Sequence, residues 1–288
     1  MLNNIIIIGN GPAGISAALY TARAGIKTTI IGKDFGALEK AEKIENYYGL
    51  TEPVSGKDLA IAGINQAKRV GAEYIEAQIV GLGFDGENYI VSSSVGNFTA
   101  GSVIIATGTQ RSAPRVKGLK DFEGRGVSYC ATCDAFFYRK KDVAVLGYTE
   151  YALHEASELS LVASSVTVLT NGEACTTDFG AFKVIPTKLS ALEGEEKLKR
   201  ISFADGSSIT VDGMFVAYGV AGSADLAKKL GAETENNKII VDENMSSTLP
   251  GLFAAGDCTG GMMQVAKAVY EGAMAGTSAV KFIRAKKG

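Results

Sequence analysis

Short, unbroken apolar runs closed by glycines set the rhythm of the chain. Ile5-Ile6-Ile7-Ile8 runs into Gly9-Asn10-Gly11-Pro12-Ala13-Gly14; helix-forming residues follow over 15–24, then the β-branched run Thr28-Thr29-Ile30-Ile31. A continuous apolar run of this length reads as a strand buried on both faces, as parallel sheets require. Strand, glycine turn, helix and strand together make a βαβ unit with a dinucleotide fingerprint at its first turn. Gly9 permits the tight turn, Gly11 lets the backbone approach a pyrophosphate, and Gly14 lets helix and strand pack closely. The first N–H groups of the helix are then free to meet phosphate oxygens.

A second unit starts at Val143. Val143-Ala144-Val145-Leu146 leads to Gly147, then to a helical stretch over 149–162 and to Val166-Thr167-Val168-Leu169. The spacing repeats the first unit, but the turn reads Gly147-Tyr148-Thr149-Glu150-Tyr151-Ala152. Thr149 stands where glycine should admit a phosphate, and Glu150 adds a negative charge beside it. The expectation is a dinucleotide fold that binds no dinucleotide through its phosphates, with Tyr148 and Tyr151 filling the space. Val103-Ile104-Ile105-Ala106-Thr107-Gly108 and Gly251-Leu252-Phe253-Ala254-Ala255-Gly256-Asp257 read as two further buried strands ending in turns. Residues 262–284 read as one long helix, with Ala268, Gly272, Ala275 and Gly276 where something packs close. The fold class is therefore α/β, with two Rossmann-like, three-layer ββα domains. Domain boundaries are expected at Ala113-Pro114 and in the polar stretch 242–247. They divide the chain into 1–113 with 243–288, and an inserted domain over 114–242.

Composition narrows the function. The 288 residues carry 29 Lys+Arg against 31 Asp+Glu, a net charge of −2, so no global field draws the protein to nucleic acid. A single histidine, His154, excludes a multi-histidine metal site and reads as a packed or surface residue. No run approaches the ~20 apolar residues of a membrane helix. The opening isoleucines are too few for a signal-peptide core, and a cytoplasmic protein is expected. In a reducing cytosol the close pair in Cys130-Ala131-Thr132-Cys133-Asp134 is catalytic or metal-binding before it is structural. Three readings stand: a redox-active disulfide, half of a zinc site, or two inert buried cysteines. Asp134 is placed to move protons during exchange, or simply to cap the next segment. Cys175 and Cys258 read as small buried residues.

Taken together, Gly9-Asn10-Gly11-Pro12-Ala13-Gly14, Ala106-Thr107-Gly108, Gly126-Val127-Ser128, Cys130-Ala131-Thr132-Cys133-Asp134, Phe136-Phe137-Tyr138-Arg139 and Ala255-Gly256-Asp257 resemble the bacterial low-molecular-weight thioredoxin reductases. The resemblance spans nearly the whole chain. It implies an FAD-binding domain interrupted by a domain carrying the disulfide, a homodimer, and thioredoxin as the partner reduced. It further implies that Cys133 faces the flavin, that Cys130 attacks thioredoxin, and that Asp257 meets the ribityl chain. Asn46 is placed near the isoalloxazine, and Gly256, Val265 and Ala266 join the flavin site. Ordinary members have an intact second fingerprint and a His-Arg-Arg that reads the 2′-phosphate of NADPH; this chain has Thr170-Asn171-Gly172 there. Little sequence remains after Leu169 for the helix expected next. NADPH is not expected, and the chain most resembles the ferredoxin-dependent flavin thioredoxin reductases, with electrons passing from ferredoxin through FAD and Cys130–Cys133 to thioredoxin. Candidate basic surfaces for ferredoxin are Arg139-Lys140-Lys141, Arg111/Arg115/Lys117, and Lys281, Arg284, Lys286 and Lys287. The rivals are a reductase using NADH or NADPH in an atypical pose, a dithiol oxidase feeding oxygen, and a non-enzymatic flavin sensor.

Overall fold

A computed structural model of the chain describes residues 2–108 and 114–286. Two compact units result: 1–110 with 222–288, and 111–221.

In the first unit β1 (Asn4–Ile8), α1 (Pro12–Arg23) and β2 (Lys27–Gly32) form the expected βαβ unit. Then come α2 (Gly56–Arg69), β3 (Glu73–Glu76), the antiparallel meander β4 (Ile79–Phe84), β5 (Tyr89–Ser93) and β6 (Gly96–Ala100), and β7 (Ser102–Ile105). Ile5 to Ile8 are all at most 2% exposed, so both faces of β1 are covered. Ile5, Ile7, Ile30 and Ile104 pack into one core with Ala13, Ala17 and Ala18 of α1.

The second unit holds β8 (Val127–Ser128), α3 (Ala131–Asp134), β9 (Asp142–Leu146), α4 (Glu150–Ser160), β10 (Ser165–Leu169) and β11 (Lys183–Ile185). An antiparallel meander, β12 (Leu189–Glu193), β13 (Arg200–Phe203) and β14 (Ser208–Thr210), precedes β15 (Gly213–Val216). Its parallel sheet runs β11-β10-β9-β15-β8. β10 and β11 are parallel neighbours, yet residues 170–182 between them form no helix. The shortened crossover expected after Leu169 is therefore present.

The chain then returns to the first unit through α5 (Ser223–Lys229), β16 (Thr234–Glu235), β17 (Lys238–Ile239), β18 (Leu252–Ala254) and α6 (Val265–Ala285). The parallel sheet is completed as β18-β7-β1-β2-β3. The small residues of α6 meet α1: a Cβ on Gly272 would stand 2.1 Å from the Ala13 carbonyl oxygen.

The return crossing lies some twenty residues before the expected boundary at 242/243. Ser223 Oγ donates to the Gly108 carbonyl at 3.0 Å, and α5 packs on β4, so 222–242 belongs to the first unit. The polar stretch 242–247 is a local turn instead, in which Asp242 Oδ1 accepts the N–H groups of Asn244 and Ser246. The other expected boundary borders 109–113, with Ala113 outside the described residues.

Candidate active site

The glycine turn of the first unit is built for a backbone-bound anion. Gly9 has φ +113° and lies so close to β7 that a Cβ would sit 2.3 Å from the Ala106 carbonyl oxygen. Gly14 presses on Gly9 in the same way, at 1.9 Å from its carbonyl oxygen. Gly11 differs: a Cβ there would meet nothing within 4 Å. Its missing side chain leaves open space at the start of α1, where no side chain caps the helix and no acidic residue sits in the first turn. Uncapped N–H groups and the positive end of the helix dipole together favour a phosphate. Beside them Thr107 Oγ1 is buried with no hydrogen-bond partner among the described residues. A buried hydroxyl of this kind wants a partner, and a dinucleotide would supply one. The residues fit FAD.

Other predicted flavin residues gather at the same end of the unit. Gly256 lies against Ala13, and Asp257, half-buried, opens the turn after β18. Asn46 Nδ2 donates to Gln264 Oε1 at 2.9 Å, which brings it to the start of α6, where Val265 and the exposed Ala266 stand. Asn10, Gly11, Pro12, Tyr47 and Val265 contribute to the walls of a cavity of ≈160 Å³.

The corresponding turn of the second unit is closed. Gly147 keeps its packing role, since a Cβ would sit 2.2 Å from the Ala217 carbonyl oxygen and 2.7 Å from Ala152 Cβ. The middle position does not keep its opening. Thr149 is 2% exposed, caps α4 by accepting the Tyr151 N–H, and donates to the Gly219 carbonyl at 2.7 Å. Tyr148 stacks edge-on against Tyr218 at 5.0 Å, and Tyr218 OH donates to Glu173 Oε1 at 2.7 Å. Thr176 closes the same rim, its N–H donating to the Tyr148 carbonyl at 2.9 Å. Burial first, and then the bond to the Glu173 carboxylate, push the Tyr218 phenol up to about 12. Tyr148 is thus at the rim, whereas Tyr151, 2% exposed, is part of the interior.

Cys130 and Cys133 form a disulfide at the start of α3, the pairing that the first of the three readings requires. No cluster of metal-ligating side chains occurs among the described residues. Cys130 is 6% exposed and Cys133 is exposed. The Cys133 N–H points at Cys130 Sγ at 3.1 Å, an arrangement that favours a thiolate on Cys130 once the bond is reduced. Ser128 organises the turn: its Oγ donates to Asp134 Oδ2 at 2.6 Å and accepts the Cys130 N–H at 3.1 Å. Asp134 is therefore tied to the disulfide turn through one hydroxyl.

Sequence reasoning missed Glu155. It is 1% exposed, and its Oε2 accepts the Ala131 N–H between the two cysteines at 2.8 Å. The signal was available: Tyr151, Ala152, Glu155, Ala156 and Leu159 form the buried stripe of α4, so an acid lies on an apolar face. Two thiols remain free among the described residues. Cys258 is wholly buried as expected, and burial pushes its thiol up to about 12. Cys175 is exposed, contrary to expectation, because the loop over 170–182 that carries it covers the rim of the closed turn rather than packing inside. Of the basic candidates, Arg139, Lys140, Lys141, Arg115, Lys117, Lys281, Arg284 and Lys286 are exposed, and Arg111 and Lys287 lie outside the described residues.

Comparisons with known proteins agree with this geometry. The family model for pyridine nucleotide-disulphide oxidoreductases matches residues 3–272. A thioredoxin reductase of Aquifex aeolicus is 35% identical over 99% of this chain and 94% of its own length. Among solved structures, the atypical thioredoxin reductase TRi of Desulfovibrio vulgaris Hildenborough superposes with a TM-score of 0.94 at 39% identity, covering 99% of both chains. A ferredoxin-flavin thioredoxin reductase of Clostridium acetobutylicum gives a TM-score of 0.71 at 28% identity, over 99% of this chain and 98% of that one.

Proposed function

The chain belongs to the pyridine nucleotide-disulphide oxidoreductases and, within them, to the thioredoxin reductases, and from that premise we propose that its electron donor is ferredoxin rather than a pyridine nucleotide. FAD is the cofactor the family implies, and thioredoxin is the partner its relatives' name implies. The observation that carries the donor assignment is Thr149, whose hydroxyl donates to the Gly219 carbonyl and accepts the Tyr151 N–H inside the turn that should hold a nucleotide pyrophosphate. The absence of any cation in Thr170-Asn171-Gly172 and the Tyr218–Glu173 closure of the rim support the same reading. A homodimer in the cytoplasm completes the proposal.

When bound, FAD supplies the conversion of single electrons into the pair that a disulfide takes. Gly9 to Gly14, Ala106, Thr107, Gly108, Asn46, Gly256, Asp257, Val265 and Ala266 are the residues proposed to hold it. After reduction, the Cys130 thiolate, favoured by the Cys133 N–H, attacks one sulfur of thioredoxin's disulfide, and the other thioredoxin sulfur leaves as a thiolate. Asp134, held by Ser128, is the group that passes a proton to that leaving sulfur. Cys133 then gives its proton to the Asp134 carboxylate and attacks Cys130 Sγ, which re-forms the Cys130–Cys133 bond and displaces the second thioredoxin sulfur as a thiolate; that sulfur takes a proton from water, and thioredoxin leaves as a dithiol. Cys130 is the buried member of the pair, so the turn must open for the first of these exchanges.

Anaerobic flavin absorbance with NADPH, NADH or reduced ferredoxin in separate cuvettes, thioredoxin present, tests the donor. Bleaching and thioredoxin reduction are expected with ferredoxin alone. Rapid bleaching by either nicotinamide would overturn the assignment.

A further inference from the structure

The turn that opens with Asp257 is held by an ion pair that the expected flavin contacts do not include. Residues 256–261 have little stiffness of their own: Gly256, Gly260 and Gly261 all take positive φ, at +87°, +91° and +73°. Such glycines have many unfolded or alternative conformations to lose, so one presentation of Asp257 needs cross-bracing. Lys267, on the first turn of α6, provides it. Its Nζ donates to the Gly256 carbonyl at 2.8 Å and to the Gly260 carbonyl at 2.5 Å, joining the two ends of the turn. It also lies 3.1 Å from Thr259 Oγ1 and 2.8 Å from Glu271 Oε2. That same oxygen accepts the Gly256 N–H at 2.8 Å and the Thr259 hydroxyl at 2.9 Å.

The pair is largely withdrawn from water, with side chains 14% and 12% exposed. A buried ion pair is a poor source of net stability, and removing one partner strands the other. An aliphatic pair at these positions would also join successive turns of α6, but it could take up none of the loop's N–H and C=O groups. The residues are therefore placed to fix the loop rather than merely the helix.

We propose that Lys267 and Glu271 are a positioning pair for the flavin: they hold residues 256–260 so that Asp257 meets the cofactor, and they govern how fast FAD leaves. This rests on the flavoprotein reading above. The test is FAD release from purified holoprotein after dilution, followed by the fluorescence of free flavin. It is run at a temperature at which circular dichroism shows every variant folded. Lys267→Met is expected to speed release at least tenfold, and Glu271→Gln, which still accepts the Gly256 N–H, by less. The double variant should release more slowly than the product of the two single effects predicts, because the stranded carboxylate is gone. Wild-type release rates in folded Lys267→Met, whatever its melting temperature, would reduce the pair to a structural brace and overturn the proposal. Wild-type protein that carries no flavin would sink the flavoprotein reading, and this inference with it.

Discussion

Gly11 and Thr149 occupy equivalent places in two turns of the same design, and one side chain separates their consequences. Their flanking positions, Gly9 with Gly14 and Gly147 with Ala152, keep the close packing the fold demands in both units. Of the three fingerprint positions, the middle one, which faces a ligand, has lost its small residue. Thr149→Ala removes a helix cap and a donor to Gly219, so it should cost ~1–2 kcal/mol in urea unfolding of that unit. It should still give no flavin bleaching with NADPH, because the rim and the missing cations remain; bleaching would make Thr149 the whole block. The thiols offer a second residue-level check. Burial pushes Cys258 up to about 12 and Cys175 is exposed, so oxidised native protein should show one fast thiol toward an aromatic disulfide reagent. Cys175→Ser should abolish that reaction, and a persisting fast thiol would contradict the burial of Cys258.

At the scale of elements, the contact between α1 and α6 links the core to the flavin turn. The Gly272 backbone touches Ala13, one residue before Gly14, so any side chain there pushes on the start of α1. Gly272→Val should lower the urea midpoint by overpacking worth about 1–3 kcal/mol, and it should weaken FAD binding as well. An unchanged midpoint would mean the helices can part freely. The small stripe on α6, the isoleucine run of β1 and both glycine turns were legible in the sequence because each is a local pattern with a physical reason. What escaped was set by tertiary partners. The stretch 242–247 has the composition of a linker but folds on Asp242 as a turn, while the true return lies where Ser223 finds Gly108. Glu155, Lys267 and Glu271 were passed over because charged residues on helices usually face water. Their partners are the backbone groups Ala131 N–H, Gly256 N–H and C=O, and Gly260 C=O, which no periodicity displays.

The chain divides into two compact units, a two-state description of unfolding belongs to single domains, and stability is therefore read unit by unit, alkaline pH included. Each contains a tyrosine with a raised pKa. In the first unit burial pushes Tyr89 up to about 12, and its OH donates to the Pro250 carbonyl at 2.8 Å. In the second, Tyr218 is likewise raised to about 12, with the Glu173 carboxylate adding to burial. The ordinary value is 10.0, so between 10 and 12 the unfolded chain loses a proton that the folded one retains. The stability these residues contribute is therefore complete below pH 10 and is lost as pH rises through about 12. For Tyr89, 3% exposed, the pKa difference corresponds to ~2–3 kcal/mol; Tyr218 is more exposed and contributes less. Lysine deprotonation acts on every variant over the same range, so the informative quantity is a difference. Tyr89→Phe should be less stable than wild type at pH 8 through loss of the Pro250 hydrogen bond, and that gap should hold up to pH 10.0 and shrink only between there and about 12. A gap independent of pH, measured by urea unfolding of the first unit, would show that the Tyr89 phenol titrates no differently in the fold than in the open chain.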